Sequence, residues 1–132
     1  MPLTKKRMNN ERGQTLVEFA LVLPILVVLV LAIAQFGVAF NNYLALTDAA
    51  RAAARKGAVS RQAGQASACQ SAGYAAGTDL KNPGTDFLLA CSSPWTIGSD
   101  VVVNASYPYQ ISLLGWVVSS GRMTTTMRER VE

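Results

Sequence analysis

From Phe19 to Thr47 the chain runs for 29 residues without a charged side chain. The apolar positions fall on every side of a helix rather than along one stripe, so an amphipathic soluble helix is a poor description. The densest part, Phe19 to Phe40, is 22 residues long; as a helix it measures about 33 Å at 1.5 Å per residue. That matches the roughly 30 Å hydrocarbon core of a bilayer, and the pattern predicts a membrane-spanning helix. A fully buried core helix would show the same pattern, but 132 residues are too few to bury one. Pro24 and Gly37 interrupt the run; membrane helices tolerate such residues when local adjustment satisfies the freed carbonyl.

After the apolar run the composition changes. Leu44 to Lys56 combines alanines with basic residues, a composition that favours helix, and Asp48 lies three positions before Arg51, a spacing at which ion pairs form. The membrane helix is therefore expected to project from the bilayer without a break, with Gly57 ending or bending it. Ala58 to Ala76 is rich in small residues and fits helix or loop.

The period shifts after Thr78. Asn82-Pro83-Gly84 marks a turn. Asp100 to Tyr109 alternates, placing Val101, Val103, Ala105, Tyr107 and Tyr109 on one strand face, and Pro108 predicts an edge strand or a strand end. Met123, Thr125, Met127 and Val131 alternate with polar residues and predict a second strand. Between them, Gln110 to Ser120 carries Ile111, Leu113, Leu114, Trp116, Val117 and Val118. Core packing beneath the sheet is the simpler reading; the alternative is a contact surface for a neighbouring subunit or the membrane interface. Tyr107, Tyr109 and Trp95 share that ambiguity. The expected fold class is α+β: a long N-terminal membrane-spanning helix continuing into a small extracytoplasmic domain with a short antiparallel sheet. Its divisions are a basic leader (1–13), the helix (14–57) and the small domain (58–132).

Charge sharpens the topology. The net charge is +4, but Lys5, Lys6, Arg7 and Arg12 against Glu11 place +3 of it in the first 13 residues. The remainder holds 8 basic and 7 acidic side chains. A nucleic-acid partner is excluded on this basis, because such a protein keeps its positive charge on the folded part. Basic residues flanking an apolar run instead favour an N-terminus held in the cytoplasm, with the C-terminal part on the far side.

The heptad Gly13-Gln14-Thr15-Leu16-Val17-Glu18-Phe19 joins these parts. A carboxylate inside an apolar span is costly, roughly 2.5–3.5 kcal/mol at a helix centre and less near its end, so Glu18 calls for a partner. A cut after Gly13 would supply one: the new α-amine of Gln14 is positive near neutral pH and lies one turn from Glu18. In an assembly the carboxylate could meet a neighbour's amine equally well, setting register rather than adding much stability. The alternative is an interfacial glutamate favoured by the helix macrodipole.

The stretch Arg12-Gly-Gln-Thr-Leu-Val-Glu-Phe-Ala-Leu-Val-Leu-Pro24 resembles the prepilin motif of type IV pilins. More narrowly, it is similar to the TadE-like minor pilins or pseudopilins of the tight-adherence, type IVb pilus system. Gln35-Phe-Gly-Val-Ala-Phe40, Leu46 to Arg55 and the closing Thr124 to Glu132 fit the same family. The resemblance implies a structural or assembly subunit of a cell-surface pilus, with other pilin or pseudopilin subunits as partners. It also implies cleavage between Gly13 and Gln14 by a membrane prepilin peptidase. Gly13 is then the residue before the cut, Glu18 the acidic motif position, and Phe19 its neighbour in the assembly segment. Insertion in the bacterial inner membrane through the helix follows.

Cys69 and Cys91 are the two cysteines. On the far side of the membrane they lie in an oxidising compartment and allow a single intramolecular disulfide; two free buried thiols are the alternative. The chain has no histidine and no CxxC pair, so neither a metal site nor a catalytic residue is expected, and no cofactor. Asp79, Asp86 and Asp100 lie around turns, and Asp79 with Asp86 lacks calcium-ligand spacing. The expectation is a non-enzyme. A rival reading is a secreted or signal-anchored binding module, cut by ordinary signal peptidase after Ala34 in Ala32-Ile-Ala-Gln35, or not cut.

Overall fold

The computed structural model describes residues 10–60 and 65–132, with side chains from Gly13 onward. Lys5, Lys6, Arg7 and the side chain of Arg12, the positive residues of the expected leader, lie outside the described residues. Five elements follow one another: α1 (Asn10–Val59), α2 (Gln65–Ala76), β1 (Leu88–Ser92), β2 (Asp100–Leu113) and β3 (Trp116–Arg130). The strands form an antiparallel sheet in the order β1-β2-β3. The α+β class expected from the pattern is the one observed.

The helix α1 is continuous through Pro24, Gly37 and Gly57 and ends at Val59. Its two halves obey different rules. Every large apolar side chain from Leu16 to Leu44 is exposed, Leu21 by 70 % and Phe36 by 66 %. From Leu46 onward one face is sealed: Leu46, Ala49, Ala50, Ala53, Ala54 and Ala58 are buried. Asp48, Arg51, Arg55 and Lys56 face outward, and Arg51 Nη1 meets Asp48 Oδ1 at 3.4 Å, an exposed pair that contributes a few tenths of a kcal/mol at best.

The alanine face allows α2 to come close. A Cβ built on Gly57 would lie 3.4 Å from Cys69 Cβ, and one on Gly77, just past α2, 3.2 Å from Ala49 Cβ. Gly73 abuts Ala53 between them, at 3.0 Å on the same measure. Each four-residue step forward from Cys69 is matched by four residues back along α1, so the helices run antiparallel with their small residues facing. Larger side chains in either row would push the axes apart. Beneath this pair the sheet contributes Leu89, Val101, Val103, Ala105 and, just past β3, Val131. Phe87 is fully buried and packs edge-on against Tyr74, with centroids 5.2 Å apart.

Residues 78–87, between α2 and β1, are held by backbone acceptors. The Asn82 carbonyl accepts from the amides of Asp86 at 3.1 Å and Thr85 at 3.2 Å, while Asn82 Nδ2 donates to Asp86 Oδ2 at 2.7 Å. Asp86 is thus a turn residue. Cys91 on β1 and Cys69 on α2 form a disulfide across a sequence separation of 22, tying the edge strand to the second helix.

Three expectations are corrected. Strand β2 is central rather than an edge, and it runs past Pro108 to Leu113. Proline is accepted there because pairing with β1 stops at Ser106, leaving that flank of β2 open. Strand β3 begins at Trp116, well before Met123. Finally, Gln110 to Ser120 is not core: it is the far end of the β2–β3 hairpin, with Trp116 exposed by 81 % and Leu114 by 71 %. Ile111 and Leu113 are half-buried.

Two stability outcomes follow. Replacing both Cys69 and Cys91 by alanine should lower the unfolding free energy of the detergent-solubilised protein by about 3 kcal/mol; a urea titration checks this. Gly77→Ala places a methyl 2.7 Å from Phe87 Cε1 and should cost about 1–3 kcal/mol through overpacking, read as a lowered midpoint.

Candidate processing and assembly site

Gly13, Gln14, Glu18 and Phe19 occupy consecutive turns at the start of α1, and all four are exposed. Glu18 is the one charged residue between Gly13 and Asp48. Its Oε1 accepts a hydrogen bond from Gln14 Nε2 at 3.2 Å. The i,i+4 spacing brings these side chains onto one face, and the same geometry carries the backbone nitrogen of Gln14 to within a turn of the carboxylate. Phe19 is 62 % exposed and packs against nothing that seals it.

Gly13 has no structural reason to be glycine. A Cβ there would meet no atom within 4 Å among the described residues. A glycine inside a helix costs about 1 kcal/mol relative to alanine. The fold thus accepts a cost at Gly13 for which its own packing offers no return, unlike Gly57 and Gly77, where neighbouring side chains crowd the missing Cβ.

Above this site the large apolar side chains of α1 from Leu16 to Leu44 are left exposed by the described residues. The cysteines are elsewhere, in the small domain, and do not join the helix start in any common site. No group of three or more His, Cys, Asp or Glu side chains able to hold a metal occurs among the described residues.

Residues 13–55 match the family model described as TadE-like protein. Over that segment the chain is similar to TadE-like proteins. The matched stretch is about a third of the sequence and holds the heptad, the apolar run and most of the alanine face. No curated protein and no solved structure matches the chain. The TadE-like match supports a pilin-like protein associated with a Tad pilus, a structural rather than an enzymatic family. Together with the apolar helix, whose most apolar stretch is not buried among the described residues, it points to a membrane-anchored protein with pilin-like partners.

A second surface was only half legible in the sequence. Strand β2 starts beside Gly57, with Val101 Cγ1 3.1 Å from the Cβ position there, and runs back down α1. Twelve residues at about 3.3 Å each cover roughly 40 Å, equivalent to about 26 helical residues. The hairpin accordingly reaches the level of Ala32. An open apolar groove of about 510 Å³ lies between them, lined by Ala32, Phe36 and Tyr43 of α1 and by Tyr109, Leu113 and Val118 of the hairpin, among others. The signal was the charge-free stretch from Val101 to Gly121, whose length equals that of the half-helix it follows.

Proposed function

We propose that the chain is a prepilin-like, TadE-like minor pilin or pseudopilin, cut after Gly13 by a prepilin peptidase and serving as a structural or assembly subunit of a tight-adherence pilus. The observation that carries this reading is a single carboxylate, Glu18, one turn past an unconstrained glycine, at the foot of an apolar helix that its own fold leaves bare. Cutting the Gly13–Gln14 bond turns the Gln14 nitrogen into a cation one turn from Glu18, within the same subunit or in a neighbour. Packed among apolar helices, the pair neutralises itself, and a subunit set at the wrong height leaves a bare charge in a low-dielectric bundle. Glu18 thereby sets axial register. The helix lies in the bacterial inner membrane with its start in the cytoplasm and the small domain outside. The disulfide suits that oxidising side.

The deciding measurement is the N-terminus of the membrane-extracted protein, by intact mass and terminal sequencing. A chain beginning at Gln14 is expected. One beginning at Gln35 would make this a secreted module cut by signal peptidase, and an uncut chain from a cell holding the matching peptidase would leave an anchor alone. Gly13→Leu should abolish processing without lowering the stability of the small domain; normal processing of that variant rejects the cut site. Glu18→Ala should insert and be cut normally, yet be depleted several-fold from the assembly when co-purified with its partner subunits. Equal recovery of mutant and parent would count against the register role.

A further inference from the structure

We infer that the end of the β2–β3 hairpin is a second membrane contact, resting on the outer leaflet of the bilayer that α1 spans. The inference builds on the membrane-anchor reading of α1 and goes beyond it.

Its first support is height. A hydrocarbon core of about 30 Å beginning at Leu16, where the exposed apolar side chains of α1 start, takes up some 20 helical residues and ends near Gln35. The groove between hairpin and helix continues down to Ala32, about 5 Å below that level. Elements that lie in the membrane interface bury their apolar side roughly 5–10 Å into it. The hairpin thus cannot hang in water while α1 occupies the bilayer; it descends into the same layer.

Composition agrees with this depth. Leu114, Trp116, Val117 and Val118 are exposed by 71, 81, 54 and 63 %, and no charge occurs between Asp100 and Arg122. The charged side chains collect at the opposite end of the domain, where Arg51, Arg55, Lys56, Glu129, Arg130 and Glu132 share a surface. Tryptophan at the tip and Tyr43 and Tyr109 in the groove are the residue types that favour the headgroup level.

The turn supplies an independent observation. Leu114 and Gly115 join the strands with φ of +51° and +85°. Both central positions of such a two-residue turn favour Asn, Asp or Gly, and left-handed leucine is disfavoured by sterics. A tip built for water would carry asparagine; this one holds a strained, exposed leucine beside an exposed tryptophan.

The backbone limits the depth. At the tip β2 and β3 pair with each other, but their outer edges are open, and open edges are not tolerated within hydrocarbon. Ser112, Ser119 and Ser120 close to the tip suit the headgroup zone. The contact is therefore shallow, with the leucine and tryptophan dipping beneath the headgroups.

The test uses the full chain reconstituted in vesicles of phosphatidylcholine and phosphatidylglycerol in which part of the phosphatidylcholine carries bromine on its acyl chains. Trp95→Phe leaves Trp116 as the sole tryptophan, and Trp116→Phe leaves Trp95, in the β1–β2 connection at the opposite end of β2 from the tip. Loss of Trp116 emission on brominated lipid, with Trp95 emission unchanged, is the expected result, and Leu114→Asn should weaken the loss while the disulfide-linked domain stays folded. A third chain, lacking both native tryptophans and carrying Leu26→Trp, reports on the helix. If Leu26→Trp is quenched and Trp116 is not, the hairpin contact is overturned and the anchor survives. Absence of quenching at Leu26→Trp overturns the anchor reading and this inference with it. Trp116 shielded from both brominated lipid and aqueous iodide would show a second protein surface covering the tip and would overturn the lipid assignment.

Discussion

The small domain depends on the close approach of α1 and α2. Ala49, Ala53 and Gly57 face Gly77, Gly73 and Cys69 in antiparallel steps of one turn, and alanine or glycine at these crossings removes the side-chain volume that would keep the axes apart. The closeness matters because the domain is small. With few residues to exclude water, burial must come from backbones brought together, with Phe87, Leu46, Val101 and Val103 filling the space that remains. The disulfide reinforces the same junction from within the core, fixing the short edge strand β1 to α2 at the buried Cys69, the residue that meets Gly57.

A second constraint is that one unbroken helix serves two environments. From Leu16 to Leu44 its large apolar side chains lie on all sides and all are exposed; above Leu44 the alanine face is buried and the charged face is wet. Because the helix is continuous across the change, the domain's position relative to the apolar half is fixed without a hinge. The heptad-spaced row Ala32, Gln35, Ala39, Asn42, Leu46, Ala49 and Ala53 is covered to increasing degree toward the domain, and it guides the β2–β3 hairpin down the same helix face.

Much of this was readable from residues. Uncharged length predicted the apolar helix, alanine with basic residues predicted its continuation, and period-two alternation found the inward faces of β2 and β3. The match to the TadE-like family covers the helical part of this, residues 13–55. What was missed has physical causes. Apart from Cys69 and Tyr74, helix α2 is composed of Ala, Gly, Ser and Gln, so no hydrophobic stripe marks it; its packing surface against α1 consists of small residues. Strand β1 is five residues long, with two inward positions, Leu89 and Cys91, too few for a period to emerge. The Pro108 rule failed because it assumes both flanks of a central strand are paired, whereas β1 is too short to reach that position. At Gln110 to Ser120 apolar composition suggested a core, but composition cannot distinguish a buried strand from one that faces lipid.

That last ambiguity separates two kinds of glycine and two kinds of apolar residue in this chain. Gly57, Gly73 and Gly77 are explained by neighbours that a Cβ would strike, so changes there report on packing. Among the described residues Gly13 has no such neighbour, and the polar contact described for Glu18 is with Gln14. A loss of processing or of assembly caused by changes at those positions therefore cannot be traced to a weakened fold. The same logic applies to Leu114 and Trp116, where removing an exposed side chain costs the folded domain little and, at Leu114, relieves an unfavourable backbone conformation. Residues that the fold does not need, held in places where they are unfavourable in water, are the ones through which this chain meets its surroundings.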